Sequence, residues 1–178
     1  MVPPQMLQYE PEFQAFLDIL QDEGARSYLE IGCKHGGTLW RVGMVLPKGS
    51  VCVGVDLPRN PGSASYSSMH SVIRGLESEG RQCTLVWGNS TTRPVIDKTR
   101  ALGPFDAVFI DADHSYDGVR LDWANYGPMA TKLVAFHDIC YIKSDVPRFW
   151  GEIRASHHYS ELRYAPGGVN NGIGVIYV

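Results

Sequence analysis

The sequence predicts an α/β domain built on an open, mostly parallel sheet with helices on both faces. Three observations carry this. Short apolar runs rich in β-branched residues (SYLEI, VCVGV, CTLVW, AVFI and LVAF) alternate with longer segments of helical spacing. Each run breaks abruptly into glycine, aspartate or histidine, as buried strands do where they leave a sheet. Finally, Glu161–Tyr164 and Ile173–Val178 flank a loop rich in Gly and Asn and read as a hairpin, which adds an antiparallel edge.

In order, residues 1–26 form a helical N-terminal segment. Its helix, Glu12–Gln21, carries Phe13, Phe16, Leu17 and Leu20 on one face. After a turn at Asp22–Ala25 comes a strand, Ser27–Ile31, then a glycine-bearing loop, Gly32–Gly37, and a helix, Thr38–Leu46. Pro47, Lys48 and Gly49 turn the chain into the strand Val51–Val55, which ends at Asp56. A Pro- and Gly-rich loop, Leu57–Ser63, precedes a helix over Ser65–Glu79. The strand Cys83–Trp87 closes in Gly88-Asn89-Ser90, and Arg93–Leu102 is helical with Pro94 in its first turn. Ala107–Ile110 is a strand buried on both faces. Ser115 and Asp117 are candidate caps for a helix through Trp123 and on to Tyr126. The turn Gly127-Pro128, a strand Leu133–Phe136 ending at His137-Asp138, and a helix Asp145–His157 complete the series. With no repeat, linker or low-complexity stretch, residues 1–178 read as one domain.

Composition narrows the function classes. A net charge of −3 gives no electrostatic basis for binding nucleic acid or an anionic membrane. No apolar run approaches the roughly 20 residues that span a bilayer. Cys33, Cys52, Cys83 and Cys140 are far apart, with no CxxC pair and no secretory signal. They read as reduced thiols, mostly in the core, of a cytoplasmic protein.

The chemistry concentrates at strand ends. Asp111, Asp113 and His114 pack three ionisable groups into four residues where a buried strand stops. In an open α/β sheet, ligands bind beyond the carboxyl ends of the strands. Gly32, Gly36 and Gly37, with Cys33 between them, form a strand-to-helix turn that lets backbone approach a ligand. Asp56, one strand on, is placed to accept both hydroxyls of a ribose. The alternative is a plain turn with Asp56 as a solvated cap. GxxxGG is not GxGxxG, and YxxxK is missing, which argues against a nicotinamide-dependent oxidoreductase. His35, His70, His157 and His158 lack partners at ligand spacing and are assigned to the surface or loops. Trp40, Trp87, Trp123 and Trp150 are assigned to the core, with Trp87 also placed to stack beside an adenine.

Four ordered motifs, YLEIGCKHGG, VGVDLP, FDAVFIDADHSYDGV and LVAFHDI, resemble the class I S-adenosylmethionine-dependent methyltransferases. The nearest likeness is to small O-methyltransferases of the catechol and caffeoyl-CoA type and the related group with an "IDGDHSY…FHD" signature. The resemblance spans roughly residues 27–140. It implies a Rossmann-like, doubly wound, seven-stranded sheet in the order 3-2-1-4-5-7-6. By the same likeness Glu30, Gly32, Cys33 and Gly36 lie along the methionine part of the cofactor, Asp56 holds its ribose, Asn89 and Ser90 meet its adenine, and Asp111 borders it.

Metal-dependent members hold a divalent cation at the ends of the fourth and fifth strands, and the matching positions are Asp111, His137 and Asp138. Imidazole in place of an oxygen ligand favours Mn²⁺, Fe²⁺ or Zn²⁺ over Mg²⁺. The alternative is that His137 and Asp138 form a hydrogen-bonded pair anchoring the next loop. His114 stands where catechol-type enzymes carry a lysine that deprotonates the acceptor; it reads as a general base, or as a helix-start histidine bonded to Asp113 or backbone. Asp113 reads as orienting His114 or as supporting the cation site.

The implied activity is methyl transfer to a hydroxyl of a small-molecule acceptor, assisted by a divalent metal. The runner-up is a metal-independent methyltransferase acting on N, O or C; a non-catalytic cofactor-binding protein is the third reading. Candidate covers for the acceptor are residues 57–66, 141–148 and 166–172, or a neighbouring subunit of a homo-oligomer.

Overall fold

The computed structural model describes residues 8–58, 60–61, 63–164 and 171–178. Seven strands form one sheet in the order β3-β2-β1-β4-β5-β7-β6, the order that the resemblance implies. β1 (Ser27–Ile31), β2 (Val51–Asp56), β3 (Gln82–Trp87), β4 (Phe105–Ile110) and β5 (Ala130–His137) are parallel. β7 (Ile173–Tyr177) runs antiparallel to both β5 and β6 (His158–Leu162).

Side chains alternate along each strand and feed two buried clusters, one per face. Tyr28, Cys52, Ala107 and Phe109 face α1 (Glu10–Asp22), α2 (Gly37–Val45) and α3 (Ala64–Ser78). Leu29, Val53, Val108 and Ile110 face α4 (Arg93–Arg100), α5 (Tyr116–Tyr126) and α6 (Val146–Ile153). Phe13, Phe16, Leu17 and Leu20 of α1 are buried as the periodicity requires. Ser115 is the N-cap of α5 and accepts from Gly118 N–H, whereas Asp117 lies in its first turn. Among the described residues, no helix is long and apolar enough to cross a membrane.

Several expectations are corrected. β5 starts at Ala130, not Leu133, because Ala130 already pairs with Phe105 across an irregularity in β4. β6 starts at His158, not Glu161, since its register runs from His158↔Tyr177 to Leu162↔Ile173. The preceding helix stops at Ile153 and continues as a tight 3₁₀ turn, Arg154–Ser156. His70 is on α3, half-buried between Tyr66 and Trp87 rather than on the surface. Trp87 stacks on Tyr66 with ring centroids 6.2 Å apart. Cys33 and Cys52 are buried, Cys83 and Cys140 half-buried, and all four are free thiols.

Two buried carboxyl groups tie layers together. Glu12 of α1 accepts from Tyr164 N–H and Gly172 N–H, both at 3.1 Å, joining α1 to the two ends of the β6–β7 connection. The connection itself, including expected cover residues 166–170, lies outside the described residues. Glu30 of β1 is fully buried and accepts from the hydroxyls of Tyr28 and of Thr38 on α2. Burial raises its pKa, and although both donors pull the other way the result is about 8.

Two predictions follow from this framework. A Cβ on Gly32, at φ +92°, would sit 2.2 Å from the Asp111 carbonyl oxygen. Gly32→Ala therefore combines a left-handed backbone with a main-chain collision, and is expected to cost more than about 3 kcal/mol in urea unfolding. Gly49→Ala, at φ +85° in open space, is expected to cost only about 1 kcal/mol.

For Glu30, the folded pKa of about 8 exceeds the ordinary 4.5, so folding takes up a proton between these values. Its stabilising contribution is whole below pH 4.5 and is lost as pH rises through about 8. Glu30→Gln should flatten that decline, as read from thermal unfolding across the same range.

Candidate active site

The carboxyl ends of β1, β2, β3, β4 and β5 open onto one cavity of about 710 Å³. The strand tips are stitched by backbone bonds: Gly32 N–H to Val55 O, Asp111 N–H to Ile31 O, and Gly88 N–H to Asp56 O. This draws the glycine loop, Asp56 and Asp111 to a common rim. Gly32 is obligatory there because a Cβ at this position would collide with the Asp111–Ala112 backbone.

On the β1–β2 side, Asp56 is nearly buried and accepts from Lys34 N–H and Leu57 N–H, each at 2.7 Å. Lys34, at φ 51°, and Gly36, at φ 79°, take left-handed conformations that fold the loop back toward Asp56. Gly36 is the N-cap of α2 and brings no capping side chain, so Gly37 and Thr38 present first-turn amides at the cavity wall. Cys33 lines the wall while its thiol is directed at the Glu30 and Val55 carbonyls. Glu30 itself lies behind the wall, bonded to Thr38. Asn89 and Ser90 line the far side. There the Asn89 side-chain oxygen, Oδ1, closes its own turn, accepting from the Thr91 N–H and hydroxyl at 2.9 and 2.8 Å.

On the β4–β5 side, two carboxylates and two imidazoles interlock. His114 Nε2 is 3.4 Å from Asp111 Oδ1 and its Nδ1 is 3.0 Å from Asp138 Oδ2. His137 Nδ1 is 3.2 Å from Asp111 Oδ1 and 3.1 Å from Asp138 Oδ1, the latter without hydrogen-bond alignment. Asp138, at φ 62°, holds a left-handed backbone that aims its carboxylate back at the cluster. The hydrogen bonds that His114 donates to Asp111 and then Asp138 lift its pKa to about 10, against burial. Burial acts against the ionised form of Asp111 too, yet His137 and His114 outweigh it and hold its pKa near 2. Burial likewise opposes the charge on His137, but Asp111 raises its pKa on balance. The cluster thus sets two carboxylates against the His114 imidazolium and a second imidazole, His137, whose protonated form Asp111 favours.

Asp111, His114 and Asp138 each offer one ligand atom within 4.8 Å of the others, a spacing a metal ion could bridge. His137 borders the same point, with its Nε2 buried and unpartnered. Asp113 does not pair with His114 among the described contacts; its carboxylate accepts from Ser115 N–H at 2.9 Å, at the start of α5. Sequence reasoning missed Gln8, whose Nε2 donates to Asp111 Oδ2 at 2.9 Å, and Asn171, which lines the same cavity. Neither belongs to a motif; only the docking of α1 and of β7 brings them in.

A family model described as a methyltransferase domain matches residues 29–139. A search of curated proteins finds no match. Among solved structures, the chain is similar to the O-methyltransferase of Bacillus cereus, crystallised with S-adenosylhomocysteine (SAH). The TM-score is 0.75 at 17% identity, over 99% of this chain and 84% of that one. It is also similar to a Staphylococcus aureus protein described as a putative caffeoyl-CoA O-methyltransferase, with TM-score 0.70 at 12% identity over 98% and 85% of the two chains. The tomaymycin-synthesis O-methyltransferase of Streptomyces achromogenes gives 0.71 at 15%, over 96% and 81%. At such identities these likenesses establish the fold, while the family match covers the glycine loop, Asp56, Asp111 and Asp138 together. The chain belongs to the methyltransferase-domain family.

Proposed function

We propose that the protein transfers a methyl group from S-adenosylmethionine to a hydroxyl of a small-molecule acceptor, with a divalent cation held by Asp111 and Asp138. The observation that carries this reading is convergence: Asp56, the glycine loop and the Asp111–His114–Asp138 cluster line one cavity. Its volume of about 710 Å³ suits a nucleoside-bearing ligand beside a small acceptor. Asp56 can accept from ribose hydroxyls, and the first-turn amides of α2 suit a carboxylate. The O-methyltransferases of similar fold that were crystallised with SAH or S-adenosylmethionine support the cofactor.

The donor set of the cluster supports the cation. Two carboxylates face two imidazoles across hydrogen-bond distances, and one divalent ion would supply the positive charge that the pair of carboxylates calls for. Mixed oxygen and imidazole donors favour Mn²⁺ or Fe²⁺ over Mg²⁺. The second reading, transfer without a cation, is favoured by the His114 imidazolium, which already lies between both carboxylates.

S-Adenosylmethionine, when bound, supplies an electrophilic methyl group, so the chain's own task is alignment and deprotonation. A divalent cation, when bound, acidifies a hydroxyl that it meets. Gln8 fixes the outer oxygen of Asp111. His114 borders the cavity between its two carboxylates. While both are ionised it keeps its proton at neutral pH and serves as a cation; it can accept a proton only once their charge is balanced by another group.

The test is isothermal titration with SAH, with and without Mn²⁺ or Mg²⁺. Wild type should bind SAH, and Asp56→Ala should lose at least about tenfold in affinity, since a buried acceptor of ribose hydroxyls is removed. Asp111→Ala should keep SAH binding but lose Mn²⁺ binding. Full turnover after EDTA treatment would favour the cation-free reading. Because Mn²⁺ must displace protons from histidines whose pKa values are raised, its affinity should climb as pH rises from 6 to 9.

A further inference from the structure

The two oxygens of Asp111 face different partners. Oδ1 meets both imidazoles, with His114 Nε2 at 3.4 Å and His137 Nδ1 at 3.2 Å. Oδ2 accepts from Gln8 Nε2 at 2.9 Å. One oxygen thus belongs to the cluster at the ends of β4 and β5, and the other is held by an amide from the N-terminal segment. Gln8 lines the cavity just ahead of Tyr9, the N-cap of α1. The turn that follows is tied down on two sides. Glu10 makes a two-pronged ion pair with Arg41 of α2, at 2.7 and 2.9 Å. Glu12, on the next turn, grips the N–H groups of Tyr164 and Gly172. The reach of the Gln8 amide to Asp111 is therefore set by how α1 docks on α2 and the sheet edge.

We propose that Gln8 is a positioning residue for the cation site: by holding Asp111 Oδ2 it turns Oδ1 alone toward the cation, and so selects a compact octahedral ion such as Mn²⁺ against Ca²⁺. The proposal rests on the cation reading above and specifies how that site chooses its ion. A carboxylate can hold a cation through one oxygen or through both. Ca²⁺ accepts either mode in its large, flexible shell, whereas a small octahedral ion is distorted by the narrow bite of a single carboxylate. Partners behind a ligating carboxylate fix its orientation and hence its mode. Here the amide contributes orientation without charge, which separates its effect from that of the imidazoles on the other oxygen.

The experiment titrates Mn²⁺ and Ca²⁺ calorimetrically, at one fixed pH, into wild type, Gln8→Ala, Gln8→Met and Glu10→Gln. Wild type should bind Mn²⁺ more tightly than Ca²⁺. Gln8→Ala should lose at least about tenfold in Mn²⁺ affinity, as expected when the partner behind a ligating carboxylate is removed. Its Ca²⁺ affinity should hold or rise, because Asp111 is then free to offer both oxygens. Gln8→Met keeps the length of the side chain without its donor and should shift the ratio in the same direction. Glu10→Gln removes an exposed ion pair of the same turn and should keep the wild-type ratio. SAH affinity and thermal unfolding of the Gln8 variants should match wild type. A wild-type Mn²⁺ to Ca²⁺ ratio in Gln8→Ala or Gln8→Met overturns the proposal. So does an equal loss for both ions, or the same shift in Glu10→Gln. Gln8 variants that fail to fold would make the amide structural and overturn it too. Wild type that binds SAH but no Mn²⁺ overturns the cation reading and this one with it, whereas Mn²⁺ binding with an unmoved ratio in the variants removes this one alone.

Discussion

The site depends on how closely the tips of β1 and β4 approach each other. Gly32 and Asp111 leave their strands side by side, joined through the Asp111 N–H to Ile31 O bond, with no room between them for a side chain at position 32. That contact sets the depth of the cavity floor. It also fixes the separation between the residues that would hold a nucleoside and those that would hold an acceptor. The missing Cβ is therefore a packing requirement of the cavity floor.

Around this floor the protein places charge in two different ways. Glu30 is a carboxyl group sealed from solvent, whose pKa burial raises to about 8. Asp111 is sunk almost as deeply yet stays ionised because imidazoles surround it. The same side-chain chemistry therefore has opposite charge states on the two sides of one sheet edge, set by whether a cationic neighbour is present. The left-handed backbone at Asp138 belongs to the same arrangement, since it turns the second carboxylate toward the imidazoles rather than into solvent.

The sheet was legible in the sequence because buried parallel strands announce themselves twice, by β-branched runs and by abrupt polar endings. Strand boundaries at β5 and β6 were not, because register with a neighbour, rather than local composition, decides where pairing starts. Asp56, Asp111, His137 and Asp138 were legible because each ends a strand. His114 was singled out as a base and is found locked between two carboxylates, a relation that local sequence cannot express. Asp113 shows the opposite case: of its two readings, orientation of His114 finds no contact among those described, because its partner, Ser115 N–H, is local and belongs to helix initiation. Gln8 lies 103 positions from its partner and Asn171 lies beyond every motif, so only the assembled fold reveals either.

The clasp made by Glu12 has an evolutionary consequence. Its two oxygens grip the chain at Tyr164 and Gly172, so the two feet of that connection stand one carboxylate apart whatever lies between them. Loop-closure entropy grows slowly, with each doubling of length costing only about 0.6 kcal/mol. Insertions or exchanges between the feet can therefore accumulate with little disturbance to β6, β7 or the sheet edge. The sequence between the feet can thus drift while the sheet edge is inherited intact.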